Sequence, residues 1–203
     1  MPQIISANNT TDITTQVRVY PDATTTVKWV LPEARVGATS TNDDLKFYLS
    51  VYDANSSHLF HSQDYLSETD NSGACLDPID LGVIGGTYDV FIKTHQHLSL
   101  GLDNVTIHNG ANNLNFTQAD NSASRGNRTL LAGDISDLGT SPQTLGDDVV
   151  NSVDLSLLLM ELDNDDVSGN DIRANLNQDT VVNSIDLSLL LKNLDKEGDL
   201  LKL

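Results

Sequence analysis

Cys75 is the only cysteine, so no intrachain disulfide can form and any small unit within the chain must be held by packing or by a bound ion. Basic side chains are scarce. The 11 Lys and Arg against 29 Asp and Glu give a formal charge of −18, which opposes nucleic acid and anionic membrane as partners. No apolar run approaches the roughly 20 residues of a membrane-spanning helix, so membrane insertion by that route is not expected. G-x-S-x-G, H-E-x-x-H and a phosphate-cradling glycine loop are all missing. Adjacent acids say little in so acidic a chain. No catalytic residue is assigned, and the expectation is a protein that is not an enzyme.

Aromatic residues are few and lie on one side of the chain. All ten fall at or before Phe116, and the part from Leu131 onward relies on Leu, Val and Ile. Charge divides the same way: residues 1–130 carry a net −7 and residues 131–203 a net −11. The chain therefore reads as multidomain: an N-terminal all-β antiparallel sandwich over 1–116, a polar linker over 117–130, a small all-α unit over 131–195 and a tail over 196–203, expected to fray after Leu194 unless Leu200, Leu201 and Leu203 dock on a neighbour. Strand signals run through TTQVRVY, TTTVKWVL, LKFYLSVYD, SHLFHSQDYL, GTYDVFIKTH, NVTIHNG and NLNFT, with alternation in VRVY, VKWV and YDVFIK. Turn signals such as Gly85-Gly86 and Asn109-Gly110 separate them, and no helical pattern intervenes. That cadence predicts a sandwich rather than a parallel sheet with crossover helices.

The stretch VVNSVDLSLLL at 149–159 returns 32 residues later as VVNSIDLSLLL at 181–191. Such self-similarity marks a duplicated supersecondary unit. In the second copy, NLNQDTVVNSID places Asn175, Asn177 and Asp179 at loop positions 1, 3 and 5 and Asp186 at position 12. Side-chain oxygens at that spacing form the cage of a hard cation, calcium above all, with Val181 giving its backbone carbonyl at position 7 and Asn183 standing at position 9. Val182 is free to turn inward and pack. Position 6 ordinarily needs a positive φ, which Gly meets cheaply, Asp tolerably and β-branched Thr180 at a cost.

The first copy keeps Asp147, Asp148, Val149, Val150, Asn151 and Asp154, but its first half is displaced to GDISD at 133–137. With Asp134 at position 1 and Ser136 at position 3, residues 137–146 replace a single residue; either Ser136 or Asp137 can supply the position-3 oxygen. Closing the longer loop costs on the order of 1 kcal/mol, because closure entropy grows logarithmically.

On GDIS, DDVVNSVDLSLLL and NLNQDTVVNSIDLSLLL, residues 131–195 resemble the type I dockerins, whose two repeats each carry D-x-N-x-D-G-x-V-N-x-x-D before a Leu-rich helix. The sequence departs from that pattern in the insertion, in Asn175 for Asp, and in Asp148 and Thr180 for Gly. The resemblance implies two bound Ca2+ ions and a cohesin domain as partner. It implies recognition through positions 10 and 11, here Ser152 and Val153 in one copy and Ser184 and Ile185 in the other. Near-identical copies then make a pseudo-twofold surface that a partner could meet in either of two orientations. Along GGTYDVFIKTHQHLS, NVTIHNGANNLNF and LLAGD, the N-terminal part resembles the small sandwich domains that precede dockerins in bacterial surface and secreted proteins. Millimolar calcium outside cells suits such loops, so the expected setting is extracellular or the cell surface.

Competing readings concern the same residues. His95 and His97, at i and i+2 on a strand, would share a face and invite zinc, but no Cys or acidic cluster completes a site in sequence. Trp29, Tyr48, Tyr52 and Tyr65 could stack on a glycan, although a sandwich core draws on the same aromatics. The alternatives are therefore a carbohydrate-binding module with a structural calcium repeat, and a self-associating subunit whose repeat packs on its own sandwich or on the next copy's.

Overall fold

A computed structural model describes residues 23–28, 44–56, 58–68, 78–116, 130–136, 145–164, 173–177, 179 and 181–200. Seven strands occur among them: β1 (Ala23–Lys28), β2 (Asp44–Asp53), β3 (Leu59–Glu68), β4 (Ile79–Asp80), β5 (Gly86–Thr94), β6 (Leu100–Ile107) and β7 (Gly110–Asn115). Two helices follow, α1 (Ser152–Met160) and α2 (Ser184–Lys192). The expected strand TTQVRVY and the linker 117–129 lie outside the described residues.

The strands form two sheets, one ordered β4-β1-β7 and one ordered β3-β2-β5-β6. The larger is antiparallel throughout; in the smaller, β1 runs parallel to β7, with Ala23 opposite Gly110 and Lys28 opposite Asn115. Alternation in β2 turns Phe47, Leu49 and Val51 into the shared core, where they meet Val90, Ile92, Leu100 and Leu102 from the same sheet and Ile79 and Leu114 from the other. Leu130, the last residue of the expected linker, closes this cluster.

YDVFIK, read from sequence as a half-buried strand, is buried on both faces from Tyr88 through Thr94. Val90 and Ile92 serve the sandwich core. Phe91 and Lys93, on the opposite face, are 2% and 4% exposed: Phe91 packs edge-on against Tyr52, and Lys93 is met by Asp134 and Asp148 of the C-terminal unit. The turn from His95 to Ser99 reaches further into that unit. Leu98 belongs to the second cluster, with Ala132, Ile135, Val150, Leu158, Leu176, Val182 and Leu190. His97 and Ala132 form an isolated antiparallel bridge, so His95 and His97 lie in a turn rather than on one strand face.

The expectation of a frayed tail fails over 196–200. Val150 donates its N–H to the Lys196 carbonyl at 2.9 Å, and Asp195 returns a bond to the Val150 carbonyl at 2.8 Å. Fully buried Asp199 accepts the Gly101 N–H at 3.0 Å, and Leu200 N–H donates to Ser99 Oγ at 2.7 Å. Leaving those backbone donors unpaired on a buried strand would cost more than ordering a few residues, so the segment is clasped.

Gly198 lets the clasp close. A Cβ at this position would overlap both carboxylate oxygens of Asp148. Gly198→Ala should therefore lower stability by about 1–3 kcal/mol, the usual cost of overpacking, as a drop in the midpoint of thermal unfolding; an unchanged midpoint would show that the segment does not approach Asp148 in solution.

Candidate metal centre and docking face

Each helix is only nine residues long and begins at an asparagine. So short a helix is marginal on its own and depends on its cap and its packing. Asn151 Oδ1 accepts the Val153 N–H and Asn183 Oδ1 the Ile185 N–H, both at 2.7 Å. The capping boxes close through Asp154, which accepts the Asn151 N–H at 2.7 Å, and Asp186, which accepts the Asn183 N–H at 2.9 Å.

The second oxygen of each Asp holds the start of its loop. Asp154 Oδ1 accepts the N–H groups of Ile135 (2.9 Å) and Ser136 (2.7 Å), and Asp186 Oδ1 those of Leu176 (2.7 Å) and Asn177 (3.1 Å). The 137–146 insertion thus leaves the two ends of loop one joined as they are in loop two. The repeats also pair reciprocally. Val182 exchanges backbone bonds with Asp163 and Asn164 after α1 (2.8 and 3.0 Å), and Val150 does the same with Asp195 and Lys196 after α2. Both valines are fully buried, as their inward position predicts.

In loop two, Asn175 and Asn177 are buried, Asp186 is fully buried, and Asp179, Val181 and Asn183 are half-buried. Asn177 Nδ2 donates to Asp179 Oδ2 at 2.9 Å, while Asp179 Oδ1 accepts the Val181 N–H at 2.8 Å. Asn175 Nδ2 donates to the Asp179 carbonyl at 2.8 Å, which leaves Asn175 Oδ1 buried without a hydrogen-bond partner among the described residues. An orphaned carbonyl oxygen at position 1 of an oxygen-rich loop fits a hard cation. Thr180 lies outside the described residues.

Loop one is built differently. Asp148 has φ 65°, the positive value expected at position 6. Asp147 Oδ1 accepts the Val149 N–H at 3.1 Å and its Oδ2 the Asn151 Nδ2 at 3.3 Å. Asp134 Oδ2 accepts the Asp148 N–H at 3.0 Å. The same Asp134 oxygen contacts the ammonium of Lys93, from β5 of the sandwich. Lys93 Nζ also donates to Asp148 Oδ1 at 3.0 Å and to the His97 carbonyl at 2.9 Å. Burial pushes the Asp134 carboxyl up to about 7; Lys93 opposes this by charge and hydrogen bond, and Asp148 and Asp154 add to it by charge. Asp134 Oδ1 and Ser136 Oγ are buried and without partners among the described residues. Asp137 lies outside them.

Two further residues of the β5–β6 turn, Ser99 and Gln96, were not singled out by sequence. Ser99 donates to Asp148 from its N–H (2.7 Å) and its hydroxyl (2.5 Å). Gln96 Nε2 donates to the carbonyls of Arg173 and Asn175, both at 3.0 Å, and so reaches the start of loop two. His97 Nδ1 lies 2.5 Å from Thr94 Oγ1, inside the turn. Among the described residues, no three His, Cys, Asp or Glu side chains cluster as a metal site. Of the aromatics considered for a glycan, Tyr48 and Tyr52 are half-buried, while Trp29 and the Tyr65 side chain lie outside what is described.

On the outer side of the repeat, Ser152, Val153, Ser184 and Ile185 are all exposed, with Val153 at 39% and Ile185 at 46%. Leu157, Leu159, Met160 and Leu191 extend this apolar surface along the two helices.

No family model and no curated protein matches the sequence. Among the solved structures that match, two are similar over most of the chain. They are the C-terminal and N-terminal interface mutants of a type II cohesin–X-dockerin complex from Acetivibrio cellulolyticus, at TM-scores of 0.55 and 0.53 and identities of 17% and 18%. The matches cover 87% and 86% of this chain and 97% of the matched chain in each case. The fold is that of an X module followed by a dockerin. The repeat resembles type I dockerins in sequence; the matched complexes are of type II, and their X module gives the sandwich its counterpart. Asp154 and Asp186 are the third residues of α1 and α2, and all four position-10 and position-11 residues lie in the first turn of a helix.

Because three backbone N–H groups converge on Asp154, Asp154→Ala should cost at least about 3 kcal/mol even in chelator. Urea unfolding with EDTA present measures it, and a loss below about 1 kcal/mol would contradict this bonding.

Proposed function

We propose that the chain is a non-catalytic docking protein, extracellular or on the cell surface, whose C-terminal repeat binds a cohesin-type domain in a calcium-dependent manner. The observation that carries this reading is the exposure of Ser152, Val153, Ser184 and Ile185 on two helices whose caps and buried residues correspond pair by pair. Asp154 and Leu158 are buried in one helix, Asp186 and Leu190 in the other. The matched X-dockerin fold, found in complexes with a cohesin, supports the same partner class.

In loop two, the residues that would hold calcium are Asn175, Asn177, Asp179, Asp186 and the Val181 carbonyl, with Asn183 as both cap and loop member. Bound calcium supplies a divalent charge around which oxygen donors gather. The chain's own contribution is to keep those oxygens near one another through Asp186, whose backbone bonds tie the loop's first residues to the helix. Ligation confined to the folded state stabilises it by about 2.7 kcal/mol at a hundredfold excess over Kd. In loop one, Asp134, Ser136, Asp147, Val149, Asn151 and Asp154 stand in the corresponding order.

One part of the self-docking alternative also has an observation behind it. The repeat packs on its own sandwich through Leu98, Ser99, Gly101 and Asp199. That contact uses loop one, the start of loop two and the C-terminal segment, and leaves the two helix starts to a partner.

Calorimetric calcium titration of the chelator-stripped chain, followed by circular dichroism, tests the metal. Binding with a gain of helix is expected, and Asp186→Ala should lose more affinity than Asn175→Ala; equal affinities would refute the role of position 12. Surface plasmon resonance on an immobilised type II cohesin tests the docking. Glu at both 152 and 153, or at both 184 and 185, should leave one of two binding orientations and cost about twofold, the statistical factor, whereas all four changes together should abolish binding. Full binding by the fourfold variant would remove the proposed face.

A further inference from the structure

We propose that the resident cation of loop one is the ammonium of Lys93, so that the intact chain takes calcium at loop two alone. This rests on the calcium reading for loop two, but its own observations lie in loop one and the β5–β6 turn.

An ammonium has three donors. Lys93 Nζ finds three acceptors, Asp134 Oδ2, Asp148 Oδ1 and the His97 carbonyl, and its side chain is 5% exposed. A buried charge persists only when paired and hydrogen-bonded in this way. The site is prepared from both sides. From the sandwich, alternation along β5 puts Lys93 on the face away from Val90 and Ile92, and the turn folds back so that the His97 carbonyl and the two donors of Ser99 flank the same point. From the repeat, Asp148 holds a positive φ that Gly would adopt at lower cost, and its carboxylate bonds Lys93 and Ser99. The side chain at position 6 is thus explained by the lysine it receives.

Loop two has no such arrangement. Position 1 there is Asn175, with no charge to neutralise, and its Oδ1 is left orphaned. The Gln96 amide, a neutral group, reaches the start of this loop from the sandwich, on backbone carbonyls. In loop one Asp134 Oδ1 and Ser136 Oγ are also without partners among the described residues, but the other Asp134 oxygen is already taken by Lys93 and by the Asp148 N–H. A calcium ion entering there would have to share the Asp134 carboxylate with an ammonium already bonded to it. The repulsion of two cations on one buried carboxylate favours keeping the covalently tethered one.

Two measurements on the full chain decide this. Calorimetry of the chelator-stripped protein should give one calcium equivalent, lost in Asp186→Ala, and Lys93→Met should raise it to two; two equivalents in the unaltered chain would overturn the proposal. Should Lys93→Met fail to fold, NMR of the unaltered chain labelled with 15N-lysine gives an independent readout. A slowly exchanging, buried ammonium resonance should persist at saturating calcium, and its loss or displacement on adding calcium would overturn the proposal. A persistent ammonium resonance with no calcium bound anywhere would uphold the lysine and refute the loop-two metal instead.

Discussion

A lysine charge buried between the sandwich and the repeat is the constraint around which the rest of the molecule is arranged. Desolvating an ammonium is costly, and the cost is offset only if every N–H meets an acceptor and opposite charge lies beside it. Here the acceptors come from the lysine's own turn and from two carboxylates of loop one, which are 41 and 55 residues away. Neither part meets these requirements alone: without the repeat Lys93 loses its counter-charges, and without the sandwich Asp134 and Asp148 lose their cation. The same turn carries Leu98 into the second apolar cluster and Ser99 onto Asp148. The two cores are therefore joined by a hydrophobic side chain and an ion pair set a few residues apart on a single hairpin.

The duplication sets the second constraint. Each loop's inward valine completes its backbone bonds with the turn after the other helix, so neither half of the repeat is finished without its sister. Asp163 and Asp195, 32 residues apart, hold nearly the same positive φ, 65° and 62°, at corresponding turns. This reciprocity explains why the C-terminal residues are held. Val150 needs Asp195 and Lys196, and once they are in place Asp199 and Leu200 lie where Gly101 and Ser99 can use them. Symmetry ends at the sandwich, since only loop one carries the insertion and only loop one meets Lys93.

The duplicated repeat was legible because its signals are local: Asn caps, Asp at the third helical position, an inward valine and a fixed spacing all act within a dozen residues. Asp148 could be assigned a positive φ from its loop position alone. Strands β2, β5 and β7 could likewise be read from alternation and turn residues. Lys93 could not, because nothing near it in sequence shows that the acids neutralising it come from loop one. VFIK looks like an ordinary half-exposed strand until the repeat covers its outer face. His95 and His97 drew attention as possible ligands, yet Gln96, Ser99 and the His97 carbonyl make the contacts that join the two parts. The parallel pairing of β1 with β7 was hidden for a related reason, since alternation fixes which face a residue occupies but not the direction of a neighbouring strand. The clasp of the C-terminal segment was hidden because acidic, Gly-containing sequence resembles a free end when its partners, Gly101 and Ser99, are about 100 residues away in the chain.

A tethered cation and a diffusible one have different consequences for a docking surface made of two near-copies. Lys93 is at fixed effective concentration, so the half of the repeat that rests on the sandwich keeps its counter-charge whatever the calcium level. The other half carries its loop oxygens away from that lysine and, on the proposed calcium reading, would draw on free ion, so that its contribution to stability would follow the logarithm of ion concentration. On that reading the two exposed helix starts, alike in sequence, differ in what holds them: Ser152 and Val153 are anchored through the sandwich, and Ser184 and Ile185 through the metal. Calcium would then control how many of the two binding orientations are available while the repeat stays attached to the sandwich. The asymmetry comes from one lysine on the outer face of a strand and the aspartate that takes the place of glycine in the loop it enters.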